Sequence, residues 1–198
     1  MPAGSPTAAH ADASARPQRA DARQNVSSLV EAAKAVFAES GVNAPVRTIA
    51  ERAGVGVGTL YRHFPLRSDL ISAVFRHEID ACADAAVAIE AAYAPGEALD
   101  RWIMRYTEFV ATKRGLAAAL HSGDPAFEAL PAYFVGRLSG ALAGLLDAAA
   151  AAGTIKPDLD APQLLHAVAD LCHGASSIEL SKLMVALLVD GLRYRATA

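Results

Sequence analysis

Apolar residues recur along most of this chain at the three- and four-residue spacing of amphipathic α-helices. In the first such segment Val26, Leu29 and Val30 share a face with Ala33, and Gly41 ends the pattern. Alanine is abundant and aromatic residues are few, which favours helix over sheet. The sequence therefore predicts an all-α fold of nine helices, at about residues 21–40, 45–53, 68–93, 99–114, 115–121, 127–152, 162–174 and 178–194, with one more short helix between Val55 and Phe64.

Residues 46–70 contain two short helical patterns that are joined through Gly54. Glycine can take the left-handed conformation that closes the first of them, because it has no Cβ to clash. The apolar residues on either side of the turn have the spacing of two faces that meet at a steep angle. These residues are Ile49, Ala50, Ala53, Val55, Leu60 and Phe64. We therefore predict a helix-turn-helix that forms a three-helix DNA-binding domain with the helix at 21–40.

Short polar side chains remain on the outer side of the second short helix. Thr59, Tyr61, Arg62 and His63 all lie between its apolar positions. A helix with such donors on its outer side fits the major groove of DNA. Arg62 is equally well explained as a contact to a base or as part of a solvated face.

The long helix at 68–93 begins after a Ser68 N-cap and leaves the DNA-binding domain as a mechanical connector. The last helix, at 178–194, is apolar on nearly all sides, with Leu183 and Leu187 on one face and Val185 on another. Such a helix must be covered on more than one side. We predict a homodimer in which the two C-terminal helices of each protomer form a four-helix interface.

The net charge of −3 is divided unevenly. Residues 16–77 carry nine Lys and Arg against five Asp and Glu, whereas residues 78–198 carry nine against fifteen. Affinity for DNA depends on local basic density, because binding releases counterions from the phosphates. The basic part of the chain is the part with the helix-turn-helix, so the acidic remainder is predicted to bind something else.

Residues 1–20 lack apolar periodicity and are predicted to be a disordered tail, whose Arg16 and Arg19 are able to touch DNA. We find no apolar run of about 20 residues and no secretion signal, which predicts a cytoplasmic protein without a membrane segment. Cys82 and Cys172 stand alone in the sequence, which is typical of buried thiols in a reducing compartment.

An ordered string of motifs covers about residues 22–80: Ala-Val-Phe-Ala-Glu-Ser-Gly, then Val-Arg-Thr-Ile-Ala-Glu-Arg-Ala-Gly-Val, then Gly-Thr-Leu-Tyr-Arg-His-Phe-Pro-Leu-Arg-Ser-Asp-Leu. This string resembles the TetR family of bacterial transcriptional regulators. The segments that begin at Leu99, Thr112 and Asp124 are similar to the SbtR-type effector domains of that family. The resemblance implies a DNA-binding domain at 21–80 and a ligand-binding and dimerisation domain at 81–195.

The resemblance also implies roles for single residues. Arg47, with Thr48 beside it, matches a place used for base or phosphate contact. Tyr61 and His63 match residues that hold phosphates, and Arg67 takes the place of a lysine that grips the DNA backbone.

The chain departs from the family pattern where the recognition helix begins. The family commonly has a serine N-cap followed by a polar or basic residue, but this chain has Gly56 and Val57. Valine contacts only a thymine methyl group or senses DNA shape. Val57 and Gly58 are therefore expected to permit close approach, and base reading shifts to other contacts, at Arg47, Thr59 and Arg62.

Aromatic residues at helical spacing in the C-terminal part are either core or the wall of an effector pocket. They are Trp102, Tyr106, Phe109, Tyr133 and Phe134. His121 is a further candidate ligand contact. His166, Asp170 and His173 share one helix face at a spacing that suits Zn²⁺, but a polar seam at the dimer interface or a contact to a ligand explains them as well. We predict no cofactor.

These observations favour a homodimeric transcriptional regulator, a repressor that a small-molecule effector releases from a palindromic operator. Two alternatives are an effector-independent or activating DNA-binding protein and an architectural DNA binder. An enzyme is disfavoured, because the sequence has no glycine-rich phosphate loop, no Gly-x-Ser-x-Gly elbow and no His-Glu-x-x-His pair.

Overall fold

The computed structural model describes residues 15–112, 123–156 and 160–194. This part of the chain contains eight α-helices, one 3-10 helix and no strand, which confirms the all-α prediction. The predicted helical piece at 115–121 and the tail at 1–14 lie outside it. The α-helices are α1 (Ala15–Ser40), α2 (Val46–Arg52), α3 (Val57–His63), α4 (Arg67–Ala92), α5 (Pro95–Thr112), α6 (Leu130–Ala151), α7 (Ala161–Gly174) and α8 (Ile178–Tyr194), with the 3-10 helix (Pro125–Phe127) before α6.

Several helix starts differ from the predicted ones: α5 begins at Pro95 instead of about residue 99, and α6 begins at Leu130 instead of about residue 127. α1 begins at Ala15 instead of about residue 21, so residues 15–20 of the predicted tail at 1–20 are helical, with Pro17 in the first turn, where the missing N–H has no helical partner. Asp160, which lies before the predicted start at about residue 162, is the N-cap of α7. Its side chain accepts a hydrogen bond from the backbone N of Gln163 at 2.8 Å, and the Gln163 side chain accepts one from the backbone N of Asp160 at 3.0 Å.

The chain divides into two compact units, Met1–Val74 and Phe75–Ala198. α4 is continuous and contributes its first two turns to the N-terminal unit and the remainder to the C-terminal unit. The N-terminal unit has its own core, in which Leu29 and Ala33 of α1, Ile49 of α2, Leu60 of α3 and Leu70 of α4 are each at most 2% exposed. These are the positions that helical spacing assigns to the inner faces, so local sequence determines this core.

The turn between α2 and α3 has the geometry that its glycine predicts. Gly54 has φ +71°, in the left-handed region. The backbone N of Gly54 donates to the carbonyl of Glu51 at 3.1 Å, and the N of Val55 donates to that of Ala50 at 3.0 Å. These two bonds form a Schellman closure, which satisfies the last carbonyls of α2 and aims the chain into α3.

The core of the C-terminal unit is built around α5, which packs against α6, α7 and α8. Trp102 of α5, Leu138 of α6, Leu164 of α7 and Val185 of α8 are completely buried in it. The helices enclose one continuous apolar core, in which α5 is covered on several sides.

Within the described part of the chain, the segment Pro125–Ala151 is long and apolar enough to cross a membrane by length and composition alone. This corrects the expectation that no stretch passes that test. Leu138, Leu142, Leu145 and Ala149 of this segment are at most 1% exposed in the C-terminal core. One side of α6 therefore packs in the C-terminal core, while 28% of the most apolar 18-residue window of the segment is buried.

Both cysteines are buried, as predicted. Burial raises the pKa of the Cys82 thiol to about 12. Because only the thiolate is nucleophilic, we expect native Cys82 to react with iodoacetamide at pH 8 about a thousandfold more slowly than in denatured protein. Peptide mass spectrometry after timed labelling, with and without denaturant, measures the ratio. Complete labelling of native protein within minutes would contradict this burial.

Candidate functional site

α3 presents most of its length to solvent. It has seven residues and begins after Gly56, whose φ of −72° and ψ of 149° are those of an extended N-cap. Leu60 is the buried residue of the helix and fixes it on the core. Gly58, Tyr61 and Arg62 are exposed, and the remaining predicted contacts, Val57, Thr59 and His63, are partly exposed.

Tyr61 is a surface residue and not part of the core. Its side chain is 49% exposed, an unusual position for a large aromatic residue. With Arg62 and His63 it gives α3 a phenol, a guanidinium and an imidazole at three successive positions, none of which is buried. All three groups donate hydrogen bonds, which is what phosphate and base-edge oxygens accept.

The exposed side of α2 carries Arg47 and Thr48. The Nε of Arg47 donates to Oε1 of Glu51 at 2.9 Å, one helical turn away. Exposed pairs of this kind contribute little stability, roughly 0.3–0.5 kcal/mol. The Arg47 guanidinium can therefore exchange Glu51 for another anion at small cost.

Arg52, at the other end of α2, is used within the unit. Its Nη1 donates to Oε2 of Glu39 at 2.7 Å and links α2 to the end of α1. This hydrogen bond, with the charge of Arg52, holds the pKa of Glu39 below its usual value. The pair was not among the predicted site residues, because nothing in a sequence shows that positions 39 and 52 meet.

Arg67 also binds within the unit. Its Nε donates to the Val42 carbonyl at 2.8 Å, its Nη2 donates to the same oxygen at 2.5 Å, and Nη2 also donates to the Ala44 carbonyl. Arg67 was predicted to grip a DNA phosphate. The structure places its guanidinium on the loop between α1 and α2.

In the C-terminal unit four of the five predicted aromatic residues form one cluster. Trp102 and Tyr106 lie with ring centroids 5.8 Å apart, and Phe109 lies 6.1 Å from Phe134. Trp102 and Tyr106 are at most 1% exposed, and burial raises the pKa of the Tyr106 phenol. Trp102 Nε1 donates to the Cys82 carbonyl at 2.9 Å, and the Tyr106 hydroxyl donates to the Leu165 carbonyl at 3.1 Å. These two residues are core, while Phe109 and Phe134 form its half-buried edge.

Tyr133 lies outside that stack and joins a polar network between α4 and α6. Its hydroxyl donates to Oδ1 of Asp80 at 2.7 Å, and this hydrogen bond raises the pKa of Tyr133. Arg137 donates to the same oxygen at 3.0 Å and also to Asp84. The Arg76 guanidinium lies 4.6 Å from the centre of the Tyr133 ring. Sequence reasoning identified only Tyr133, because the network joins residues more than fifty positions apart.

A cleft of about 490 Å³ opens between the end of α4, the start of α5 and α6. None of its lining residues was among the predicted ligand contacts. They come from three helices, so no local motif marks them. The lining consists of Glu90, Tyr93, Pro95, Ala98, Gly144, Leu145 and Ala148.

His166, Asp170 and His173 lie on the exposed side of α7, as their spacing predicts. Across the described ranges, no three His, Cys, Asp or Glu side chains are grouped so that they could hold a metal ion. His121 lies outside the described residues.

α8 presents two different apolar sides. Val185, Val189 and Leu192 are buried in the C-terminal core. Leu183 and Leu187 are 58% and 64% exposed, and Leu180 extends the same side. A row of exposed leucines next to a completed core marks a surface that a further chain can cover.

Comparison with known proteins bears on both units. A family model described as the C-terminal domain of SbtR-like transcriptional regulators matches residues 94–194, which is half of the chain. A model for bacterial regulatory proteins of the tetR family matches residues 29–74, which contain α2 and α3. The chain belongs to the TetR family. This TetR-family protein is therefore a transcriptional regulator with a DNA-binding helix-turn-helix, as the sequence motifs predicted.

Solved structures agree with this assignment over nearly the whole fold. A TetR transcriptional regulator from Streptomyces coelicolor is 34% identical, has a TM-score of 0.69, and is matched over 85% of this chain and 98% of its own. A TetR transcription regulatory protein from Mycobacterium vanbaalenii is 35% identical, has a TM-score of 0.67, and is matched over 89% of this chain and 99% of its own. Both units of this regulator thus have counterparts in proteins of the same family.

A curated relative matches over a shorter stretch of the chain. An HTH-type transcriptional regulator of Staphylococcus aureus is 43% identical over 63 residues, which are 31% of this chain. The match spans 34% of the length of that relative. This chain therefore matches only about a third of the length of that relative.

Proposed function

We propose that this TetR-family regulator is a homodimeric cytoplasmic repressor that binds a palindromic operator and is released by a small-molecule effector. Two exposed surfaces support this proposal: the outer side of α2 and α3, and the leucine side of α8. One offers hydrogen-bond donors to DNA, and the other offers apolar area to a second copy. A two-fold dimer presents two copies of α3, which matches a palindrome.

The DNA contacts lie on the helix-turn-helix, within a DNA-binding domain at about 21–80. Tyr61 and His63 hold backbone phosphates and place α3 in the groove, while base reading falls to a few donors. Val57 and Gly58 carry no hydrogen-bonding side chain and allow the helix backbone to approach the bases. The reading residues are Arg47, Thr48, Thr59 and Arg62.

The effector binds in the domain at about 81–195. Its contacts are proposed at the half-buried edge of the aromatic cluster, where Phe109 and Phe134 offer ring surface to an apolar ligand, and at Tyr133, which precedes Phe134 on α6. Trp102 and Tyr106, the buried members of the cluster, pack behind this edge. Because α4 is continuous between the two units, a change in its position in one unit is carried into the other. A coupling free energy of about 1–3 kcal/mol is enough to release an operator.

Selection of bound duplexes from a random DNA pool at physiological salt tests the proposal. Enrichment of one palindrome supports a dimeric operator-binding regulator. A pool without a common sequence would contradict it and favour an architectural DNA binder. A thermal-shift screen of small molecules, repeated with the enriched duplex, then tests release: an effector raises the Tm of the protein and lowers its affinity for the duplex. A ligand that raises the Tm but leaves duplex affinity unchanged would argue for an effector-independent role of the DNA-binding surface.

A further inference from the structure

The loop between α1 and α2 presents two carbonyl groups toward the start of α4. The backbone N of Ala44 donates to the Gly41 carbonyl at 3.1 Å, which bends residues 41–44 into a turn. Val42 lies inside this turn, and Ala44, which is 4% exposed, precedes Pro45. α2 begins at Val46, so the carbonyls of Val42 and Ala44 lie outside both helices and need hydrogen-bond donors of another kind.

The Arg67 guanidinium supplies those partners. Nε and Nη2 together reach both oxygens, across 25 and 23 positions of the sequence. A planar guanidinium presents its donors in a rigid fork, and a lysine ammonium has no such fork. The start of α4 also has a local hydrogen bond, in which the Asp69 carboxylate accepts from the backbone N of Leu66 at 3.0 Å. The first turn of α4 and the loop before α2 are thus joined as one piece.

This loop sets where α2 begins. Arg47 and Thr48, the proposed contacts on α2, lie three and four residues after Ala44 and are exposed. A shift of the loop moves both side chains together. We propose that Arg67 is a positioning residue, which holds the start of α2 in place for DNA binding, and that it does not act by binding a backbone phosphate. The inference rests on the proposed DNA-binding surface.

Salt dependence separates the two roles. A side chain that neutralises a phosphate releases a counterion, so its loss lowers the slope of log affinity against log salt by about 0.9. The loss of a positioning residue lowers affinity for DNA and leaves that slope unchanged. The measurement is fluorescence anisotropy with the full chain and the selected palindromic duplex over a series of salt concentrations. The proteins are the wild type, Arg67→Lys, Arg67→Ala and, for comparison, Arg62→Ala.

We expect Arg67→Ala and Arg67→Lys to lose affinity, by roughly ten- to a hundredfold for the alanine variant, at the wild-type slope. Arg62→Ala serves as the reference for a phosphate or base contact in the groove. Wild-type affinity in Arg67→Lys, with a slope lowered by about 0.9 in Arg67→Ala, would overturn the proposal and restore the phosphate contact.

If Arg67→Ala does not fold, Arg67→Lys decides alone. Weaker binding at the wild-type slope supports positioning, and unchanged binding overturns it. If no palindrome is selected, the proposed operator function fails, but the same comparison is made on a mixed-sequence duplex. Failure of the operator proposal is therefore distinguishable from failure of the positioning role of Arg67.

Discussion

Replacing Leu187 with glutamate is expected to turn this regulator into a monomer. Leu187 is 64% exposed on α8 of the single chain, and burying a leucine contributes about 1.5–3 kcal/mol. A two-fold interface contains the change twice, and each glutamate also loses solvation there. Analytical ultracentrifugation at micromolar concentration should show the mass of one chain. Affinity for a palindromic duplex should fall by about a hundredfold or more, because one bound copy no longer holds the other near its half-site.

Val87→Glu is the matched control. Val87, on α4, is 72% exposed, so the substitution adds the same charge at an equally solvated apolar position. This variant should keep the dimer mass and the affinity of the wild type. A dimeric Leu187→Glu variant, or dissociation caused equally by both variants, would contradict an interface on α8.

Gly58→Ala is expected to change stability and DNA affinity in opposite directions. Gly58 lies inside α3, and a Cβ added there meets no atom within 4 Å. Alanine is favoured over glycine inside a helix by roughly 0.5–1 kcal/mol, so chemical denaturation should show a more stable N-terminal unit. The new methyl group would lie between the α3 backbone and the DNA bases. We expect roughly tenfold weaker operator binding, which corresponds to about 1.4 kcal/mol.

Gly136→Ala separates the two effects. Gly136 is exposed inside α6, and a Cβ added there also meets no atom within 4 Å. This variant should gain stability in the C-terminal unit and bind the operator as the wild type does. If Gly58→Ala binds DNA with full affinity, close approach of α3 at this residue is not part of recognition.

In the N-terminal unit, local sequence predicts both the conformation of the turn and the residues of the core. Gly54 adopts its left-handed conformation because the turn demands a residue without a Cβ, and this demand is visible from the residue type alone. Ile49 and Leu60 are buried because helical periodicity assigns them to inner faces. Helix ends were less predictable. Ala15–Ala20 joins α1 without any apolar pattern, and Pro17 falls in the first turn, where proline is tolerated.

The site residues divide in a similar way. Tyr61 and Arg62 are exposed on α3 as their spacing predicts. Arg67 is different: its place in the motif implied a phosphate, and its carbonyl partners became visible only when residues 42–44 and 67 were placed side by side. From the sequence the aromatic residues of α5 were core by default, with a pocket wall as the alternative, and only burial separated Trp102 and Tyr106 from Phe109.

By itself the sequence determined the helices, the helix-turn-helix and the family, because these depend on spacing within about 20 residues and on the motif string of residues 22–80. The tertiary structure decided which polar groups are already engaged. Arg67, Tyr133 and Arg137 each bind partners between 23 and 57 positions away. It also decided that one apolar side of α8 is buried while the leucine side stays exposed. Periodicity states that a helix has apolar faces, but only packing shows which of them the chain itself covers.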